Sequence, residues 1–274
     1  MRLKCCLVMP MILLPNLAMG QGAAPSYRSP YHLEFHHPTK ALVGDLLEGP
    51  RGDPKYESET PHSEWYAERF LKSERPWGPR PRLYPPPPLA EGKSAEWKRE
   101  RIIATASRYI GYDYQHHHLP DWSPPARGGT PGHKGLDCSN FTAFAYNQAL
   151  GIHINSDVKE QAEGKVAKGA QHIGAKVTRI DRHDEESHPS WSARLKASDL
   201  VFVRNREGHI SHVVLWLGPL GRSPDGTPLI LDSHGEDVKD SAGVFVPRGI
   251  QIRPYRPGSW YDRSTSHALR LVHD

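Results

Sequence analysis

Cysteine is nearly absent from this chain of 274 residues. Two of its three cysteines, Cys5 and Cys6, lie in the first apolar segment, which leaves Cys138 alone in the rest of the sequence. A disulfide framework needs pairs of cysteines, so that class of exported fold is excluded beyond the first segment. A lone thiol is then either an inert buried residue or a nucleophile.

Dense runs of positive charge are also missing. The formal net charge is only +4, and the Lys and Arg residues are scattered along the chain. A nucleic acid partner is therefore not expected, because binding to phosphates needs a basic patch or stripe. No internal repeat is apparent either, and we expect a monomer with one main core.

The N-terminus has the pattern of a secretory signal. Arg2 and Lys4 precede the apolar residues 5–14, and small residues at 18 and 20 follow, with cleavage expected before Gln21. Pro10 interrupts the apolar run, which argues against a retained membrane helix. The pattern predicts a signal peptide at 1–20 and a protein exported to the periplasm or the outside of a bacterial envelope, with no stable membrane insertion after cleavage.

Residues 21–92 form a segment rich in proline and aromatic residues. Four consecutive prolines at 85–88 are typical of a polyproline II strut. The aromatic content argues against disorder, which is usually poor in aromatics. We expect this N-terminal arm to lie over the following domain, residues 93–274.

The domain changes from helical to strand patterns along its length. Ser94 is a candidate N-cap for a helix that runs to about residue 109. Gly151 is a candidate C-terminal cap for a helix over residues 138–150, and Ser156 is a candidate N-cap for a short helix within residues 155–164. Residues 171–194 look irregular. Strands are predicted at 199–203, 212–217, 228–233, 244–246 and 251–255. Helices first and strands later indicate an α+β fold with an antiparallel sheet.

Cys138 stands where a glycine-rich loop meets a helical pattern. Phe141, Phe144, Ala145 and Ala149 recur at spacings of three and four. A thiol at a helix N-terminus is close to unpaired N–H groups and the positive end of the helix dipole, which favour the thiolate. The position predicts a catalytic nucleophile.

A thiolate nucleophile needs a base and a group that orients the base. His212 opens the strongest strand pattern of the chain, so a sheet would hold its ring rigidly. Asp232 and His234 flank Ser233 on the next strand and therefore share a face. Either one is able to hold the second ring nitrogen of His212, and the residues alone leave that choice open.

These residues carry a resemblance to a known family. The sequence Asp137-Cys138-Ser139 resembles the nucleophile motif of the NlpC-type cell-wall peptidases, papain-like enzymes. His212-Val213 with Trp216-Leu217-Gly218, the lead-in at 195–202 and the upstream Gly111-Tyr112-Asp113-Tyr114 resemble three further motifs of that family. The resemblance covers about residues 94–240 and implies a papain-like α+β domain, with the nucleophile helix packed on an antiparallel sheet. Asn140 stands where the family usually has glycine.

The resemblance implies a secreted cysteine peptidase or amidase acting on peptidoglycan stem peptides, near a D-glutamyl bond. Its predicted catalytic residues are Cys138, His212 as base, and Asp232 or His234 as the third member. Its predicted substrate-binding residues are Tyr114, Asp137, Ser139 and His116. The alternatives are a papain-like amidase or transferase on a non-wall substrate, and a non-enzymatic envelope binding module.

The 17 histidines raise the question of a metal. Consecutive histidines, as at 116–118, cannot all face one ion within a helix or strand, and no Cys or Glu lies nearby at ligand spacing. His36-His37 in the arm is a weaker candidate still. We therefore expect no metal and no organic cofactor.

Overall fold

A computed structural model describes residues 27–69, 77–123 and 133–274. The predicted signal peptide, including Cys5 and Cys6, lies outside the described residues. Within them, no helix combines the length and the apolar character needed to cross a membrane.

Six α-helices are described. They are α1 (Thr39–Glu48), α2 (Ala95–Ser107), α3 (Cys138–Leu150), α4 (Val158–Ala162), α5 (His188–Arg194) and α6 (Trp260–Ser264). Short 3-10 turns occur at Pro50–Gly52, Pro54–Tyr56, His62–Glu64, Pro88–Ala90 and Gly218–Leu220.

The strands form one large antiparallel sheet and two small ribbons. The strands of the described chain are β1 (His32–Leu33), β2 (Thr178–Asp181), β3 (Leu200–Arg204), β4 (Ile210–Trp216), β5 (Gly221–Arg222), β6 (Leu229–His234), β7 (Val238–Lys239), β8 (Phe245–Val246), β9 (Gly249–Pro254) and β10 (Thr265–Arg270). The six-stranded sheet has the order β2-β10-β3-β4-β6-β9, and the ribbons are β1-β5 and β7-β8. The predicted α+β class with an antiparallel sheet is confirmed.

Capping explains where the two predicted main helices begin and end. The Ser94 side chain accepts a hydrogen bond from the Trp97 N–H at the start of α2, as predicted. Gly151 ends α3 in the left-handed conformation with φ 66°, and a Cβ there would lie 2.6 Å from the carbonyl oxygen of Tyr84. Glycine is therefore required by both the turn and the close approach of the arm.

Three local predictions were wrong. The cap of α4 is Asp157, one residue after Ser156, and its carboxylate accepts from two backbone N–H groups. Residues 171–194 contain β2 and α5, whose polar sequences lack a clear apolar period. The helix predicted to run to about residue 109 ends at Ser107, and Ile110, which continues its apolar spacing and would be expected to be buried, is 38% exposed.

Alternating residues of the sheet pack into two cores. Leu200 and Phe202 of β3 belong to the core shared with α2 and α3, whereas Val201 and Val203 face a second core on the other side. The period of two along a strand produces this division. The nucleophile helix therefore lies against one face of the sheet.

The N-terminal arm contributes to the first core. Leu42 and Leu46 of α1, together with Trp65, are buried in the same cluster as the apolar residues of α2 and α3. Arg101 of α2 is fully buried beneath α1 and donates to the Asp45 carboxylate at 2.8 Å. The described part of the arm thus packs on the domain and covers the side of α2 that carries Arg101.

Candidate active site

Cys138 begins α3, and the residue before it caps the helix. The Asp137 side chain accepts a hydrogen bond from the Asn140 N–H at 2.8 Å and another from the Asn140 amide at 3.0 Å. Asn140 therefore donates to the capping carboxylate from both its backbone and its side chain. A glycine at this position would lack the side-chain hydrogen bond. Cys138 is a free thiol that is only 4% exposed.

His212 lies on β4 between Cys138 and a buried carboxylate of β6. Its Nε2–H donates to Oδ1 of Asp232 over 2.8 Å, and the Cys138 side chain is close enough to its ring to influence its charge. Both His212 and Asp232 are buried, at 6% and 0% exposure. The structure thus brings three of the four predicted catalytic residues together.

The charges of His212 and Asp232 stabilise each other. Burial opposes a charge on His212, but Asp232 and Cys138 outweigh it and raise the pKa of His212 above its ordinary value. Burial likewise opposes a charge on Asp232, and the neighbouring His212 outweighs it and lowers the pKa of the carboxyl. The two directions agree: Asp232 favours a protonated ring on His212, so the pair is suited to hold a proton taken from Cys138.

The second oxygen of Asp232 contacts residues that no sequence pattern pointed to. The Tyr261 hydroxyl of α6 donates to Oδ2 of Asp232 at 2.6 Å, and Nε of Arg253 lies 3.5 Å from the same oxygen. Ser259 caps α6 by accepting from the Asp262 N–H. That Ser-x-x-Asp spacing is a recognisable helix start, but nothing in the sequence links Tyr261 to Asp232.

His234, the other contender for the third position, does not contact a ring nitrogen of His212. Its ring stands edge-on to that of His212, with centroids 5.5 Å apart. Its Nδ1 lies 3.1 Å from the carbonyl oxygen of Glu236. The geometry therefore gives the orienting position to Asp232, while the catalytic roles of both residues stay predictions.

A cavity of about 580 Å³ opens beside His212. Tyr114, His234, Trp260 and Tyr261 line the same part of its wall. The Trp260 ring is centred 5.5 Å from that of His212. No sequence pattern marked this tryptophan as part of the site. Burial, and next the charges of Cys138 and Asp137, raise the pKa of Tyr114, so its phenol remains a hydrogen-bond donor at neutral pH.

The other predicted substrate-binding residues are differently placed. Asp137 is engaged at the helix start, and the Ser139 hydroxyl donates to the carbonyl oxygen of Ser156 at 2.7 Å. His116 is half exposed, with Nδ1 3.3 Å from Oδ2 of Asp137, and this hydrogen bond raises its pKa. Tyr114 reaches the cavity, whereas Asp137 and Ser139 have partners within the fold.

The run of three histidines does not converge on one point. His117 is buried, with its ring centred 4.6 Å from that of Trp122, and burial lowers its pKa to about 4. Nδ1 of His118 lies 3.1 Å from the Asn140 side-chain oxygen, and His116 faces Asp137. The ring nitrogens of His116 and His118 thus face different side chains, although both rings also lie against Trp77.

Comparison with known proteins identifies a family. The model of the NlpC/P60 family matches residues 125–267. No curated protein matches the chain. Among solved structures, the NlpC/p60 domain of the peptidoglycan hydrolase SagA is 20% identical over 63% of this chain and 98% of its own, with a TM-score of 0.33.

A second solved structure is described as similar to a lipoprotein of the NLP/P60 family, from Staphylococcus aureus subsp. aureus Mu50. It is 17% identical over 65% of this chain, with a TM-score of 0.35, and this chain spans only 42% of its length. With scores this low, no residue of either structure is matched to a residue here.

Proposed function

Because the chain belongs to the NlpC/P60 family, we propose that it is a cysteine hydrolase that cleaves amide bonds in peptidoglycan stem peptides. The single observation that supports this most directly is the position of His212, which donates to Asp232 at 2.8 Å and has Cys138 as its other ionisable neighbour. A nucleophile, a base and an orienting carboxylate in sequence are the parts that amide cleavage by a thiol requires.

In the proposed reaction the Cys138 proton passes to His212, and the thiolate attacks the carbonyl carbon of the amide. The C–N bond then breaks, His212 returns the proton to the leaving amine, and an acyl-thioester remains on Cys138. Water, activated by His212, hydrolyses the thioester and regenerates the thiol. Asp232 keeps the imidazolium charge stable while both proton transfers take place.

The negative oxygen formed during attack needs hydrogen-bond donors. The N–H groups of the first turn of α3 have no acceptors inside the helix, and Asp137 already occupies that of Asn140. We propose that the remaining N–H groups at the helix start, next to Cys138, stabilise the oxyanion. We propose that the neutral Tyr114 hydroxyl, which belongs to the cavity wall, contacts the substrate.

Substrate choice is a finer proposal. The resemblance to the family suggests cleavage near a D-glutamyl bond, with Tyr114 and His116 at the substrate and with Asp137 and Ser139 shaping the helix start. The proposed signal peptide places this reaction in the bacterial envelope, on peptidoglycan or on muropeptides. We propose that the mature chain acts there as a monomer without a catalytic metal or organic cofactor.

The test compares the mature chain, from residue 21, with its Cys138→Ala variant on purified peptidoglycan and on a muropeptide digest. Mass spectrometry of the released peptides identifies the cleaved bond. We expect release by the wild type and none above background by the variant, with equal circular dichroism spectra. Equal release from both proteins would reject the mechanism, and activity on other amides alone would select the non-wall alternative.

A further inference from the structure

A second cluster of titratable side chains lies where the arm meets α2, away from the cavity. The carboxylate of Glu100 is buried, with 1% of its side chain exposed. Nδ1 of His36 lies 2.7 Å from its Oε1, and Nδ1 of His37 lies 3.1 Å from its Oε2. One buried acid of the domain thus faces two histidines of the arm.

Glu96 brings a second carboxylate to the same place. Its Oε1 lies 3.4 Å from Nδ1 of His36, and ligand atoms of His36, Glu96 and Glu100 all lie within 4.8 Å of one another. Glu96 and Glu100 are four residues apart on α2, so they share a helix face. Two like charges at that spacing repel each other unless a cation lies between them.

The spacing of these atoms suits a tetrahedral metal ion. Zinc binds imidazole nitrogen and carboxylate oxygen at about 2.0–2.2 Å, which places neighbouring ligand atoms roughly 3.3 Å apart. The observed separations of 2.7 and 3.4 Å lie on either side of that value. An imidazole ligand favours zinc over calcium or magnesium, which prefer oxygen alone.

The surroundings of Glu100 resemble the outer ring of contacts that orients a metal-binding carboxylate. The backbone N–H of His36 donates to Oε1 at 3.2 Å, and the backbone N–H of His37 donates to Oε2 at 3.0 Å. The ring nitrogen Nδ1 of His37 also lies within hydrogen-bond distance of Oε2. The carboxylate therefore points rigidly at His36 and Glu96.

We propose that His36, Glu96 and Glu100 bind one Zn²⁺ ion, with water as the fourth ligand, and that this ion fastens the arm to α2. His36-His37 looked weak in the sequence because Glu96 and Glu100 are about 60 positions away in the chain, and only the packing of the arm brings them to His36. The proposal is independent of the catalytic one, since none of these residues lines the cavity beside His212.

The test uses the mature chain carrying Cys138→Ala, so that the thiol cannot bind the metal. Zinc chloride is titrated against a chromophoric chelator to obtain the number of bound ions and the Kd. The variants Glu96→Gln and His36→Gln change side chains that are 61% and 57% exposed, so both should fold. Glu91→Gln, an exposed acid at the end of the nearby 3-10 turn, is the matched control.

We expect one tightly bound ion in the parent and in Glu91→Gln, and a Kd at least about tenfold higher at that site in the other two variants. Zinc should raise the Tm of the parent but not of Glu96→Gln, because a ligand stabilises the fold only where it binds. The proposal is overturned if the parent binds no zinc tightly. It is also overturned if Glu96→Gln and His36→Gln bind zinc as the parent does, which would locate the ion at other histidines.

Discussion

Two buried carboxylates, one in the candidate active site and one in the arm, behave in opposite ways. Asp232 is 0% exposed and Glu57 is 1% exposed. Asp232 accepts hydrogen bonds from His212 and Tyr261, and its pKa is lowered because His212 outweighs the effect of burial. In the described part of the chain, neither side-chain oxygen of Glu57 has a hydrogen-bond partner, and burial raises its pKa to about 8.

The difference shows that burial alone does not decide the charge of an acid. Burial favours the neutral form of both residues, but only Asp232 has a cation hydrogen-bonded to it and a donor for each oxygen. The sheet and α6 thus maintain a fixed negative charge beside His212. The arm instead keeps a protonated glutamic acid near Asp121 and Arg108, which makes the packing of the arm sensitive to alkali.

The largest expected effect comes from replacing Asp232 with Asn, which removes the charge but keeps the shape. Asn at this position no longer stabilises the imidazolium of His212 or fixes its tautomer, so we expect peptide cleavage to fall by roughly a hundredfold or more. Alkylation of Cys138 by iodoacetamide at pH 7 should slow as well, because His212 holds the thiol proton less well. Kinetics of both reactions provide the measurement.

His234→Gln is the comparison for that variant, because His234 lies beside His212 without bonding its ring nitrogens. We expect the activity of His234→Gln to stay within a few-fold of wild type. If His234→Gln lost as much peptide-cleavage activity as Asp232→Asn, or more, the orienting role would belong to His234.

Glu57→Gln should reduce the pH dependence of stability. The folded pKa of about 8 lies above the usual 4.5, so between these values the folded chain holds a proton that the unfolded chain has lost. The contribution of Glu57 to stability is complete below pH 4.5 and is lost as the pH rises through 8, and it amounts to a few kcal/mol as an order of magnitude. Urea unfolding at pH 5, 7 and 9 measures it.

The matched control is Glu59→Gln, since Glu59 is in the same segment and 74% exposed. We expect the control to change the free energy of unfolding by less than about 0.5 kcal/mol at each pH. If Glu57→Gln lost stability towards pH 9 as steeply as the wild type does, the assignment of this pH dependence to Glu57 would be wrong.

The smallest effect is expected from Tyr261→Phe, which removes one hydrogen bond to Asp232. Without it the carboxylate attracts the His212 proton more strongly, so kcat should fall by up to about tenfold. The alkaline limb of the Cys138 alkylation profile should move to higher pH. Tyr255→Phe, which loses a hydroxyl bonded to Thr265 elsewhere in the fold, should leave that limb in place. Identical pH profiles of Cys138 alkylation for Tyr261→Phe and Tyr255→Phe would show that Tyr261 has no role in the proposed site.

The elements with strong local signals were predicted well. The helix at 138–150 has apolar residues at helical spacing and a terminal glycine, and α3 has those bounds. The central strands β3, β4 and β6 were found within two residues of their bounds, because apolar runs mark strands that are buried on both faces. Edge strand β2 and the helix α6 were missed, since short polar segments owe their structure to neighbours.

The site was only partly predictable for a related reason. Leu215 pairs with Leu231, and continuing that register would bring His234 opposite His212. The contact is nevertheless made diagonally by Asp232, because Nδ1 of His234 is next to the Glu236 backbone. Register alone could not decide between the two side chains.

By itself, the sequence determined the start of the nucleophile helix, the strand that carries His212 and the two contenders for the third position. These depend on caps and periodicities that act over a few residues. Only the tertiary structure brought Asp232, and not His234, within hydrogen-bond distance of His212. It also brought Tyr261 to the second oxygen of Asp232 and placed the arm's histidines on Glu100. Contacts between residues tens of positions apart depend on the packing of whole elements, which no local pattern specifies.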